Sequence, residues 1–220
     1  MRIGTWNLAG RLSAEHQRLI EGENCDVWFL TEVPNALSLA TGQLFRSAPM
    51  TQTKSWAAVW SRGGAAPWSS PHPAAATAVH DGVLLCSCVL PWRSARASWP
   101  AEDAGNDVAT ITTSALARLG AGIAAAELPV IWGGDWNHAL HGRDYSGTKR
   151  GRGEIEKLVS ELGLQVPTRH LPHAIADLLS IDHIAVPTSW DVTACRRVVA
   201  ALAGKRLSDH DAYVVDCTPR

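Results

Sequence analysis

Several short polar segments, each beside an apolar run, hold the residue types that acid–base and cation chemistry require. Gly134-Asp-Trp-Asn137 follows Leu128-Pro-Val-Ile131. In extended chain it sets the acceptor-only carboxylate of Asp135 and the donor/acceptor amide of Asn137 on one face, with Trp136 on the other. Gly133 and Gly134 remove side chains beside them, which permits close approach of a ligand or of another backbone. Thr31 and Glu32 are the first polar residues after Val27-Trp-Phe-Leu30. A carboxylate there must meet water or a cation, because an unpaired buried charge is too costly to keep. Ser180-Ile-Asp-His183 and Ser208-Asp-His210 each supply an Asp beside a His, the types by which a carboxylate orients and charges an imidazole. Along a strand over 181–186, Asp182 and His183 face opposite ways, so only one of them enters a shared site. Asn7 ends Gly4-Thr-Trp-Asn7, where a turn explains it as readily as a site does.

Such residues act together only on a scaffold that brings strand ends to one place. Strands are predicted at Arg2–Trp6, Asp26–Leu30, Trp56–Trp60, Val83–Val89, Val130–Trp132, Ile181–Val186 and Ala212–Val215. Helical spacing links Val108, Ile111, Ala115 and Leu119, and again Ile155, Leu158, Val159 and Leu162, with Gly163 as a stop. Residues 62–73, 91–107 and 141–153 read as loops. Several strands are apolar throughout, as when sheets pack on each other beneath outer helices, so a layered α/β sandwich follows.

The chain has 220 residues, 46% apolar and 19% charged, with a net charge of -1, the balance of a folded chain and most simply one domain over 1–220. That charge excludes a basic coat for nucleic acid and favours small or transient substrates. Five cysteines without zinc spacing read as reduced, buried thiols, and the ten tryptophans as packing. No signal peptide and no apolar span of about 20 residues is visible, which points to the cytoplasm.

The ordered set Thr5-Trp-Asn7, Leu30-Thr-Glu32, Gly134-Asp-Trp-Asn137, Ile181-Asp-His183 and Ser208-Asp-His210 resembles the endonuclease/exonuclease/phosphatase superfamily, with its deoxyribonuclease-I-like fold. The resemblance implies a four-layer α/β sandwich, two packed, mainly antiparallel or mixed β-sheets flanked by helices. It implies a divalent-metal-dependent hydrolase in which an activated water attacks phosphorus. By that resemblance Glu32 is the principal metal ligand, with Asn7 and Asp209 beside the ion. Asp135 orients or deprotonates the water, Asn137 holds phosphoryl oxygens, and Asp182 orients His210. The oxygen-rich set suits Mg²⁺ or Mn²⁺, and a raised His210 pKa is expected if Asp182 touches it.

Two departures stand out. Ala9 occupies a position where many nuclease members carry an acid, which favours a single cation. Leu85-Cys-Ser-Cys-Val-Leu-Pro-Trp-Arg93 lacks the His or Tyr that many members place near the phosphate, and Arg93 is the substitute candidate for substrate binding. The 141–153 segment adds Arg143, Lys149, Arg150 and Arg152 with Tyr145, which suits a phosphorylated or nucleic-acid substrate as well as a solvated loop. His138 and His141 read as local residues. The expected substrate is a phosphodiester, single-stranded or small nucleic acid, since insertions that would grip a duplex are not evident. A phosphomonoesterase or a lipid or inositol phosphate phosphatase is the alternative. A calcineurin-like site would need an early Asp-x-His and a late Gly-His-x-His, which are missing. A non-catalytic binding module would be expected to have lost Glu32, Asp135 or His210, and all three are present. No obligate protein partner is evident, and a monomer is expected.

Overall fold

Side chains alternate along β1 (Arg2–Asn7) between two packing environments, and the same alternation organises the whole molecule. Ile3 enters an apolar cluster shared by both sheets, with Val27, Phe29, Val59, Ile131 and Ile184. Trp6 turns the other way, into a cluster with Trp28, Leu30 and Ile20 of α1 (Ala14–Gly22). The computed structural model describes residues 1–95, 98–103, 105–202 and 204–220.

The first sheet orders its six strands β11 (Trp190–Val198), β14 (Ala212–Pro219), β1, β2 (Val27–Pro34), β4 (Lys54–Ser61) and β3 (Gln43–Arg46). The second orders β5 (Ala65–Pro67), β6 (Ala75–His80), β7 (Val83–Val89), β8 (Val130–Asp135), β10 (Asp182–Pro187) and β9 (Leu164–Gln165). Each is mixed: β1 runs parallel to β2 and β7 parallel to β8, and the other ladders are antiparallel. β12 (Ala201–Leu202) and β13 (Lys205–Arg206) form a separate hairpin. Helices α2 (Val108–Ala124) and α3 (Lys149–Glu161) cover the outer face of the second sheet through Leu116, Leu119, Ile155 and Leu158 against Trp132 and Leu84. Helix, sheet, sheet and helices stack as four layers, the expected sandwich. Among the described residues no helix is long and apolar enough to cross a membrane.

Three expectations change. Helix α3 begins at Lys149, inside the segment read as a loop, so Lys149, Arg150 and Arg152 lie on its first turns. Thr148 caps it by accepting from Gly151 N at 3.0 Å. Its glycines mislead because one of them serves packing: a Cβ on Gly151 would lie 2.3 Å from the buried ring of His138. Next, of the two readings left open for Gly133 and Gly134, the structure takes close approach of protein and not of a ligand. A Cβ at Gly133 would meet the Phe29 ring at 2.5 Å, and one at Gly134 would meet the Cys88 carbonyl at 2.1 Å. Finally, Glu32 lies within β2, which continues to Pro34; the ladder to β4 skips it and it takes a φ of 48°.

All five cysteines are free, four of them buried. Opposite Asp182 on β10, His183 is fully buried, bonded to Thr168 Oγ1 at 3.2 Å and to the His138 carbonyl at 3.0 Å. Burial pushes its pKa down to about 3. Below the ordinary value near 6.5 the unfolded chain therefore takes up a proton that the folded chain refuses, and stability falls with pH down to about 3. At pH 5 this one group removes about 2 kcal/mol relative to pH 7. His183→Gln is expected to lose that share of the acid slope, read as urea unfolding at the two pH values; an unchanged slope contradicts it.

Candidate active site

The inward-facing row of each sheet turns polar at one end of the gap between them. On β1 it runs Ile3, Thr5, Asn7; on β8 Ile131, Gly133, Asp135; on β10 Val186, Ile184, Asp182. Strand register sets Asp182 opposite Asp135. The polar ends meet across the gap: Asn7 Nδ2 donates to Asp135 Oδ2 at 2.9 Å and to Glu32 Oε1 at 3.3 Å. Asn7 Oδ1 accepts from Ala9 N at 2.8 Å, so a backbone N–H stands against the amide oxygen here.

Asp135 and Asn137 do not share a strand face. The strand stops at Asp135, Asn137 takes a φ of 54°, and Asp135 Oδ1 accepts from Asn137 N at 2.9 Å in a side-chain-closed turn. Asn137 Nδ2 donates to the Leu90 carbonyl at 3.0 Å, and its Oδ1 accepts from Ser146 Oγ at 2.9 Å. Trp136 does turn away, packing on Trp132 at 4.1 Å between ring centroids. Ala9, Glu32 and Asn137 all sit in the left-handed region, a concentration of backbone strain where site residues gather.

Asp182, fully buried, holds His210 through Oδ2 to Nδ1 at 2.7 Å. Burial alone would lower the His210 pKa, but the Asp182 charge and hydrogen bond prevail and raise it to about 10, the direction expected from sequence. Burial first, and then the nearby Asp182 charge, raises Asp135 to about 7. Ser208 Oγ donates to the Asn7 carbonyl at 2.7 Å, which fastens the Asp209 and His210 segment to the end of β1. Asp209 is exposed beside it.

Arg93 is held differently from the others. Its Nε donates to the Gly147 carbonyl at 3.0 Å and one terminal nitrogen to the Asp144 carbonyl at 3.3 Å, which ties the guanidinium to the loop before α3. Arg152 ion-pairs Asp144 at 2.5 Å in the same loop. His141 packs against His170, and His138 is buried beneath α3.

Sequence reasoning missed Lys54, which ion-pairs Glu32 Oε2 from β4, and His173, whose ring lies 5.6 Å from His210. It noted Tyr145 only as part of a basic loop, yet that ring lies 5.4 Å from His173. Lys54 carried no local signal, because only the β2–β4 register brings it to Glu32. Among the described residues, His173, Asp182 and His210 offer donor atoms within 4.8 Å of one another, a group that could hold a metal. The Glu32, Asn7 and Asp209 set also fits a cation in kind: its oxygens are hard donors, and Glu32 already attracts one positive charge, the Lys54 ammonium.

No curated protein matches the sequence. Solved structures do match in fold. An AP endonuclease from Archaeoglobus fulgidus has a TM-score of 0.72 at 15% identity, over 98% of this chain and 98% of that one. A 3'-5' exonuclease (NExo) from Neisseria meningitidis has 0.68 at 18%, over 98% and 99%. The endonuclease domain of TRAS1, a telomere-specific non-LTR retrotransposon, has 0.66 at 15%, over 98% and 97%. The model of the Endonuclease/Exonuclease/phosphatase family matches residues 4–210, and the chain belongs to that family.

Proposed function

We propose that residues 1–220 act as one domain, a divalent-metal-dependent phosphodiesterase that directs water at phosphorus, on a nucleic-acid or nucleotide-like substrate. The observation that carries this is the meeting of Asn7, Asp135 and the Asp182–His210 pair at one end of the inter-sheet gap. Asp135 is the base: burial and the neighbouring Asp182 charge raise its pKa, so its carboxylate accepts a proton better than an ordinary Asp. Asn7 holds that carboxylate and Glu32 in place. Protonated His210, steadied by Asp182, neutralises the phosphoryl oxygens, and the second N–H of Asn137 Nδ2 donates to them. Glu32 and Asp209, with Asn7 behind them, would hold Mg²⁺ or Mn²⁺, which when bound supplies further charge neutralisation at the phosphate.

Lys54 sets the strength of that cation site, because its ammonium competes for Glu32. Lys54→Met is expected to tighten Mn²⁺ binding about 5-fold by calorimetry, a half-buried pair being worth about 1 kcal/mol. Unchanged or weaker binding contradicts this. The substrate class is tested on bis-p-nitrophenyl phosphate, p-nitrophenyl phosphate, single-stranded, abasic and duplex DNA, RNA and phosphoinositides, with Mg²⁺, Mn²⁺ or EDTA. Metal-dependent cleavage of a diester supports the proposal; inactivity on every substrate defeats it. A monoesterase is the second reading, favoured by a Neisseria neighbour described as a 3' phosphatase bound to product DNA hairpin.

A further inference from the structure

His173 lies in the loop before β10 and is nearly as buried as Asp182, at 4% exposure. Its backbone is pinned on two sides: His173 N donates to the Leu178 carbonyl at 2.9 Å, and its own carbonyl accepts from Arg197 Nη1 at 3.0 Å. The Tyr145 and His210 rings lie at 5.4 and 5.6 Å, both edge-on. The ring therefore has little freedom, and the useful quantity is which nitrogen carries the proton.

That is fixed by a neighbour. His173 Nδ1 accepts from Ile175 N at 3.0 Å, so Nδ1 presents its lone pair and neutral His173 carries its hydrogen on Nε2. A nitrogen bearing a proton ligates nothing, and His210 Nδ1 is already committed to Asp182. The close group of His173, Asp182 and His210 is thus poorly arranged for a metal in spite of its spacing. Two of its atoms are buried without a partner among the described residues: His173 Nε2, a donor, and Asp182 Oδ1, an acceptor. Orphaned polar atoms in such a place cost stability unless they are bridged. His173, Asp182 and His210 each present an atom within 4.8 Å of the other two, and one bridging water can serve a spacing of that order, since two hydrogen bonds of about 2.8 Å meeting at a water span roughly 4.6 Å.

We propose that His173 is a positioning residue of the Asp182–His210 pair, donating from Nε2 through one buried water to the free oxygen of Asp182. With Oδ1 satisfied in this way, the carboxylate keeps its orientation and Oδ2 stays committed to His210. Tyr145, whose hydroxyl donates to the Leu179 carbonyl at 2.9 Å, closes the row from the loop before α3. The inference rests on the phosphoesterase reading for its kinetic consequence, but not for its structural one.

Two substitutions separate the ring's functions. His173→Asn keeps an acceptor for Ile175 N and loses the Nε2 donor; His173→Gln keeps a donor near Nε2 and loses the acceptor. His173→Asn is expected to lower kcat about 10-fold with KM and Mn²⁺ affinity within about 2-fold, the usual scale for a group that orients a site residue. His173→Gln is expected to recover most of that loss. A wild-type kcat in His173→Asn, or an equal fall in both variants, overturns the proposal. Nitrogen-15 NMR of the wild-type protein decides independently of activity and of whether the variants fold. Expected is neutral His173 with its proton on Nε2, unmoved by Zn²⁺. A proton on Nδ1, or coordination shifts at His173 on adding Zn²⁺, overturns it. If the wild type hydrolyses no phosphoester, the functional reading fails while the NMR result still decides the place of His173.

Discussion

Asp135→Asn is expected to lower turnover of a phosphodiester by about 10³-fold, within the range a positioned acid or base supplies. The substitution keeps shape and removes the group able to take a proton from water. The fold is expected to survive. Asp135 is almost fully buried with its charge against Asp182, so removing the charge relieves a cost that offsets the acceptor lost to Asn7. A Tm within about 4 °C of wild type is expected, equivalent to about 1 kcal/mol for a chain of this size. Activity falling less than 10-fold, with a folded variant, contradicts the role given to Asp135.

The second large effect concerns the Asp182–His210 pair. His210→Ala leaves a fully buried carboxylate without its cationic partner and, among the described residues, without a direct partner on either oxygen. Breaking such a pair costs about 3 kcal/mol or more. Asp182→Asn removes what keeps His210 charged in a buried place, and turnover is expected to fall about 10²-fold or more in either variant. The informative quantity is the double variant. If the pair acts as one unit, its destabilisation is less than the sum of the single changes by about 2 kcal/mol, read from urea unfolding at pH 7. Additive costs would show that the 2.7 Å contact carries no coupling.

Much of this site is legible in the chain because burial and polarity alternate in simple ways. The run Val130-Ile-Trp-Gly-Gly-Asp135 reads as a strand that ends in a carboxylate, and the opposite facing of Asp182 and His183 follows from a period of two. The layered sandwich was readable from strands apolar on both faces. What was not readable depends on long-range register or on turns closed by side chains. The turn at Asn137 competes with extension because Asp135 can bond the Asn137 amide N–H, and sequence alternation cannot decide between them. Helix α3 hides behind its glycines, one of which, Gly151, makes room for the His138 ring. Strand β6 is poor in β-branched residues, and α1 is a short helix that buries only His16 and Ile20, so neither gives a clear periodic signal. His173 shows no motif at all: it matters only because the loop that carries it folds back against His210.

In the proposed reaction the gap between the sheets directs water at phosphorus with Asp135 as base. This is tested most directly by cleaving, in water enriched in oxygen-18, the phosphodiester found in the substrate screen, and weighing the products. Expected are one oxygen-18 in the phosphate of each cleaved bond, none in the released hydroxyl, dependence on added Mg²⁺ or Mn²⁺, and loss of the labelled product in Asp135→Asn. Label in the released hydroxyl, or labelled phosphate formed as fast by Asp135→Asn as by the wild type, would contradict it.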